Sequence, residues 1–199
     1  MPPTTITRIC VFCGSRPGRR PEYVQAAREL GRLLAERNIG LVYGGASVGV
    51  MGAVADAVLS GGGEVIGVIP QALVQPEVAH DHLTDLRIVA SMHERKALMA
   101  ELSDAVIALP GGLGTFEELF ETLTWSQLGI HRKAFGFLNT GGFYNTLLGL
   151  IEHAIEEGFV LPEHRALILE DRDPAALLDQ IAVYEPPPPI RKWLRPDQT

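Results

Sequence analysis

The stretch Ala105-Val-Ile-Ala-Leu-Pro-Gly-Gly-Leu-Gly-Thr-Phe-Glu-Glu118 decides how this chain folds. The apolar run from Ala105 to Leu109 predicts a buried strand, and Thr115-Phe-Glu-Glu-Leu-Phe-Glu121 predicts the first turns of a helix. Gly111, Gly112 and Gly114 sit at the junction. In α/β proteins this is where anions bind, because glycines let backbone N–H groups approach a ligand and the helix N-terminus adds partial positive charge. Glu118 does not fit that picture: it places a carboxylate in the first helical turn. Its spacing from Thr115 matches a capping box, with Thr115 at N-cap and Glu118 at N3, a purely structural reading.

The same strand, glycine turn and helix recur on both sides. Ile6 to Cys13 reads as a strand, turned by Gly14-Ser-Arg-Pro-Gly18. Pro21 opens a helix to about Arg37, with Tyr23, Ala26, Ala27, Leu30, Leu33 and Leu34 on one face. Gly40 to Tyr43 is a second strand, ending in Gly44 and Gly45, and a helix follows from near Val48 to Leu59. Glu64 to Ile69 is the third strand. Gln71 to Asp85 is polar and long for a plain connection, which marks it as a candidate site loop. Leu86 to Ala90, Asp104 to Leu109, Ala134 to Leu138 and Ala166 to Leu169 are further strands. They alternate with helices at Met92 to Leu102, Thr115 to Leu128, Phe143 to Glu157 and Pro174 to Val183.

The strands are apolar runs rather than alternating patterns, so they belong to a parallel sheet covered on both faces. The expected architecture is α/β: a single doubly wound Rossmann-like domain over residues 1–184, with a parallel sheet of about seven strands and helices on both faces. A proline-rich tail is expected over 185–199.

The chain has 199 residues, of which 46% are hydrophobic, and a net charge of −7. That composition fits one core. The acidic balance argues against nucleic acid or a membrane surface as partner. No apolar run approaches the roughly 20 residues of a membrane span. The first residues carry no secretory signal, so the cytoplasm is expected. Cys10 and Cys13 have the spacing of a redox or zinc motif. They fall inside a strand, however, where residues three apart face opposite ways, and no second pair exists to complete a zinc site. They read as buried structural thiols. His80 and His82 are a weak metal signal in an acidic loop, and no metal is expected.

Neither the dinucleotide fingerprint nor the Walker A pattern is present: Glu117 occupies the third glycine position of the first, and no glycine loop ends in Gly-Lys-Ser/Thr. What remains is three glycine-rich strand ends, at Gly14, Gly44 and Gly111, together with Arg95, Lys96 and Glu118. Three such turns on one sheet edge point to a phosphate-bearing ligand. Arg95 and Lys96 read either as a solvated helix face or as cations awaiting an anion, since cations are disfavoured at a helix start.

Pro110-Gly-Gly-x-Gly-Thr-x-x-Glu118 resembles the defining motif of the LOG (Lonely Guy) family, cytokinin riboside 5′-monophosphate phosphoribohydrolases often labelled possible lysine decarboxylases. Gly14-Ser15, Tyr43-Gly-Gly-Ala-Ser-Val-Gly-Val-Met-Gly52, Met92-His-Glu-Arg-Lys96 and Thr124-Trp-x-Gln-Leu-Gly-Ile-His131 extend the resemblance over nearly the whole chain. The departures are Ala46 where the family often has glycine, Arg16 where it has serine and Ala134 where it has proline. The resemblance implies hydrolysis of the N-glycosidic bond of a nucleoside 5′-monophosphate, giving free base and ribose 5-phosphate, without cofactor or metal and in a homodimer. It implies Arg95 and Glu118 as the catalytic pair. It implies substrate contacts at Gly14, Ser15, Gly44, Gly45, Glu77, Met92, Arg95, Lys96, Gly111, Gly112, Leu113, Gly114, Thr115, Phe116, Glu117, Glu118 and Thr124.

That chemistry is physically sensible. Glycosidic cleavage develops positive charge on the ribose. A carboxylate about 4 Å away gains about 4 kcal/mol at an effective dielectric near 20. That is about three decades of rate if it is felt only in the transition state. Two other readings stay open: a non-catalytic nucleotide-binding protein on the same scaffold, and a general AMP nucleosidase. A decarboxylase would need a pyridoxal phosphate lysine, and the sequence marks none.

Overall fold

Successive side chains of the central strands point alternately into two cores. In the computed structural model, which describes residues 6–74 and 79–187, Ile9, Val11 and Cys13 join one hydrophobic cluster, and Cys10 and Phe12 join the other. The strands are β1 (Arg8–Phe12), β2 (Gly40–Tyr43), β3 (Val65–Pro70), β4 (Asp85–Val89), β5 (Ala105–Ala108), β6 (Ala134–Leu138) and β7 (Ile168–Asp171). They form one seven-stranded sheet in the order β4-β3-β2-β1-β5-β6-β7, with every pairing parallel.

The helices are α1 (Pro21–Glu36), α2 (Gly49–Ser60), α3 (Met92–Glu101), α4 (Leu113–Leu128), α5 (Asn145–Glu156) and α6 (Pro174–Ala182). Leu30 and Leu34 of α1, Val54 and Val58 of α2 and Leu177 of α6 pack on one face. Met99 of α3, Leu119 of α4 and Leu148 of α5 pack on the other. The doubly wound fold expected from the sequence is therefore present. The chain steps outward from β1 to β4 and then restarts on the opposite side of β1 with β5. This reversal is the topological switch point, where ligands of open α/β sheets bind beyond the carboxyl ends of the strands.

The two cysteines are free and buried, and burial pushes both thiols well above their ordinary range. They are packing residues. Helix α4 begins two residues earlier than the sequence suggested, with Gly112 at N-cap and no side chain capping it. The capping box is therefore a correction: Thr115 is the third helical residue, not the cap, and Glu118 lies in the second turn. Gly112 takes the cap with an extended backbone. The last strand also shifts, to Ile168–Asp171, behind a 3-10 helix over Pro162–Leu167. Residues 184–187 leave α6 as irregular chain, and the proline-rich segment from 188 onward lies outside the described residues. Among the described residues no helix is long and apolar enough to cross a membrane.

One buried hydroxyl fixes the strand end that leads into the glycine turn. Tyr144, fully buried at the N-cap of α5, donates from its hydroxyl to the carbonyl of Leu109 at 2.6 Å. Pro110 follows, so that carbonyl lies at the last residue before the turn. Tyr144→Phe strips the donor and leaves a buried acceptor unpaired, which costs about 1 to 3 kcal/mol. Equilibrium urea unfolding is expected to show that loss as a lower midpoint at unchanged slope.

Candidate active site

The two loops at the switch point are tied together: the N–H of Gly14 donates to the Pro110 carbonyl at 3.1 Å. Gly111 has to be glycine, because a Cβ there would collide with the Thr115 side chain and stand 2.9 Å from the Gly14 nitrogen. Helices α2 and α4 both start at this edge, but their N-termini differ. The carbonyl of Gly14 accepts from the N–H groups of Val50 and Met51 at 3.1 and 3.2 Å, which closes the start of α2. The start of α4 has no side-chain cap, so its first N–H groups are left for an anion.

A cavity of about 1000 Å³ opens here. Its wall includes Gly14 and Ser15 after β1, Gly44 after β2, Met92 and Arg95 of α3, and Gly111, Gly112, Leu113, Gly114, Thr115 and Glu118. Of the expected site residues, those eleven are brought together. The others are placed elsewhere. Gly45 sits behind the wall against Ile69 and Leu86. Lys96 turns to α4, where its ammonium pairs with Glu117 and, at 2.9 Å, with Glu121. Phe116 stacks on Phe143, with ring centroids 6.4 Å apart. Thr124 is exposed on α4 and its hydroxyl donates to the Phe120 carbonyl at 2.7 Å. Glu77 lies outside the described residues.

The catalytic pair expected from the sequence is in contact. Nη1 of Arg95 donates to Oε1 of Glu118, and both side chains are about 95% buried, at 7% and 5% exposure. Nε of Arg95 donates to the Val68 carbonyl within β3, 3.0 Å away. The guanidinium is thus held from two sides, and Nη2 passes over Gly44, where a Cβ would collide with it. Burial raises the Glu118 carboxyl above its ordinary value, while the charge and hydrogen bond of Arg95 work against that rise. A buried carboxylate with one fixed counter-charge suits a task that appears only when positive charge develops nearby.

Gly44→Ala follows directly. The new methyl displaces Arg95 and, through it, Glu118. A shift of about 1 Å in a catalytic group costs about a hundredfold in rate. Steady-state kinetics of the variant are expected to show that loss.

Sequence reasoning did not find the rest of the wall. Tyr23 comes from α1 and Phe143 from the turn that precedes α5, with ring centroids 5.7 Å apart, and Val50, Met51, Ile69 and Leu73 form an apolar side. Val50 and Met51 lie inside a glycine-rich motif that was visible. Leu73 lies in the candidate site loop that begins at Gln71. Tyr23, Ile69 and Phe143 carry no local signal, because only the fold brings them to this edge. No lysine is on the wall among the described residues, so nothing there could form a Schiff base with pyridoxal phosphate. Nor do the described residues contain a group of three or more metal-binding side chains. His80 instead pairs through Nε2 with Asp56 at 3.0 Å. His131, also present in the motifs, is pushed down to about 4 by burial, with the Lys133 charge adding to the effect, and is neutral at pH 7.

Residues 51–181 match the family model described as possible lysine decarboxylase. The cytokinin riboside 5′-monophosphate phosphoribohydrolase LOG7 of Arabidopsis thaliana is 52% identical over 179 residues, covering 90% of this chain and 82% of that protein. LOG3 of the same plant is 51% identical over 179 residues, covering 90% and 83%. Among solved structures, a molybdenum cofactor binding protein from Rippkaea orientalis superposes with a TM-score of 0.68 at 22% identity, covering 89% of this chain and 96% of that one. The molybdenum cofactor carrier protein of Chlamydomonas reinhardtii gives 0.67 at 21%, covering 90% and 100%. Those two likenesses establish the fold alone. The sequence matches establish more: this chain belongs to the LOG family, the cytokinin riboside 5′-monophosphate phosphoribohydrolases.

Proposed function

We propose that this protein hydrolyses the N-glycosidic bond of N6-substituted adenosine 5′-monophosphates, releasing free base and ribose 5-phosphate. The observation that carries the reading is the buried Glu118–Arg95 pair on the same cavity wall as the uncapped start of α4. The helix start takes the 5′-phosphate as an anchor, and the ribose then lies against Glu118. As the bond from C1′ to the base nitrogen breaks, its electrons leave with the base, which takes up a proton. The carboxylate stabilises the cationic ribose. Water adds its oxygen to C1′ and gives up a proton, completing ribose 5-phosphate. Arg95 keeps Glu118 ionised against the pull of burial.

The test is incubation with AMP and with N6-isopentenyl AMP, followed by chromatography for free base. Faster release from the substituted nucleotide supports the reading. Comparable release from both would make this a general AMP nucleosidase, and release from neither would make it a binding protein. The same reading includes a homodimer formed along α4, where Leu113 and Phe120 stay exposed in the single chain at 85% and 41%. Sedimentation as a monomer at micromolar concentration would contradict that part.

A further inference from the structure

We propose that Arg16 is the phosphate-recognising cation of this cavity and the residue that makes it prefer a nucleotide to the corresponding nucleoside. The inference rests on the hydrolase reading for the identity of the ligand, a phosphomonoester of a ribose. Among the described residues, the wall carries three charged side chains: Arg16, Arg95 and Glu118. Arg95 and Glu118 neutralise one another in a buried pair. Lys96 is off the wall and held by Glu117 and Glu121. Arg16 is the remaining positive charge, exposed and without a carboxylate partner among the described residues.

Its position suits the task. The Arg16 carbonyl lies against Gly14, 3.3 Å from the place a Cβ would take, and Gly111 Cα lies 3.2 Å from that same place. Arg16 therefore starts beside the turn that opens α4. A dianionic phosphate in that turn meets the open N–H groups from one side and can be met by the guanidinium from another. The planar fork of Arg offers two parallel donors to phosphate oxygens, which a neutral side chain cannot. A chain of net charge −7 repels such a dianion overall, so an uncompensated local cation decides whether phosphate is attracted or excluded.

The experiment is calorimetric titration of the wild type, Arg16→Gln and Arg16→Lys with AMP, ribose 5-phosphate, inorganic phosphate and adenosine. Arg16→Gln is expected to weaken AMP and ribose 5-phosphate about tenfold, with adenosine affinity the same in both proteins. Arg16→Lys is expected to recover part of the loss, and added salt to weaken the wild type more than Arg16→Gln. Loss for inorganic phosphate alone, with AMP unchanged, would mean an adventitious anion contact and overturn the proposal. So would equal AMP affinity in the wild type and Arg16→Gln. These are binding readouts: if no base is released from any nucleotide, the hydrolase reading fails while the role of Arg16 is still decided.

Discussion

Glu118→Gln is expected to slow base release by about three orders of magnitude while leaving the fold and the affinity for ribose 5-phosphate intact. Gln is nearly isosteric and keeps an oxygen to accept from Nη1 of Arg95, so the packing of the buried pair is retained. What disappears is the charge. At about 4 Å from a forming oxocarbenium ion, that charge is worth about 4 kcal/mol at an effective dielectric near 20, which converts to about a thousandfold in rate. The ground state has no such positive charge on the ribose, so the loss should fall in kcat rather than KM. A structural role would give a different signature. The capping box that would have made Glu118 a packing residue is absent, because α4 starts at Leu113. A variant with full turnover would remove the carboxylate from the mechanism.

Arg95→Ala is expected to move the acid limb of the pH-rate profile upward and to reduce turnover at neutral pH about a hundredfold or more. Burial raises the Glu118 carboxyl above 4.5, and Arg95 opposes the rise. Without Arg95 the rise is larger, so a smaller fraction of Glu118 is ionised at any given pH. The sign for stability follows from linkage. Between the ordinary carboxylate value and the raised folded value, the folded state holds a proton that the unfolded chain has released. Stability therefore falls as pH rises through that window. In the variant the window extends higher, so its deficit relative to wild type grows with pH. At low pH, where Glu118 is protonated in both folded and unfolded states, removing Arg95 costs least. Urea unfolding at a series of pH values, beside kcat/KM over the same range, checks both halves. An acid limb that stays in place would mean that Arg95 does not control the ionisation of Glu118.

Much of this was legible in the chain. Apolar runs between glycine turns revealed the parallel sheet, because strands buried on both faces cannot alternate with polar residues. The three turns at Gly14, Gly44 and Gly111 marked the edge where ligands sit, and all three line the cavity. The start of α4 was misread because Thr115 and Glu118 have the spacing of a cap. Spacing does not reveal that Gly112, three places before Thr115, can end the extended segment by itself. The contact between Arg95 and Glu118 spans 23 residues and two helices. Without a family resemblance, only the packing of α3 and α4 on one face of the sheet could have suggested it. The hydroxyl of Tyr144 on Leu109 and the aromatic side at Tyr23 and Phe143 are likewise products of strand order, which no local pattern encodes.

The most direct measurement is a time course of N6-isopentenyl AMP with wild type and Glu118→Gln side by side, quantifying free base and ribose 5-phosphate together. Equal amounts of the two products are expected from the wild type, with a rate about a thousandfold lower in the variant. Equal rates from the two proteins, or a dephosphorylated riboside appearing in place of free base, would contradict that expectation.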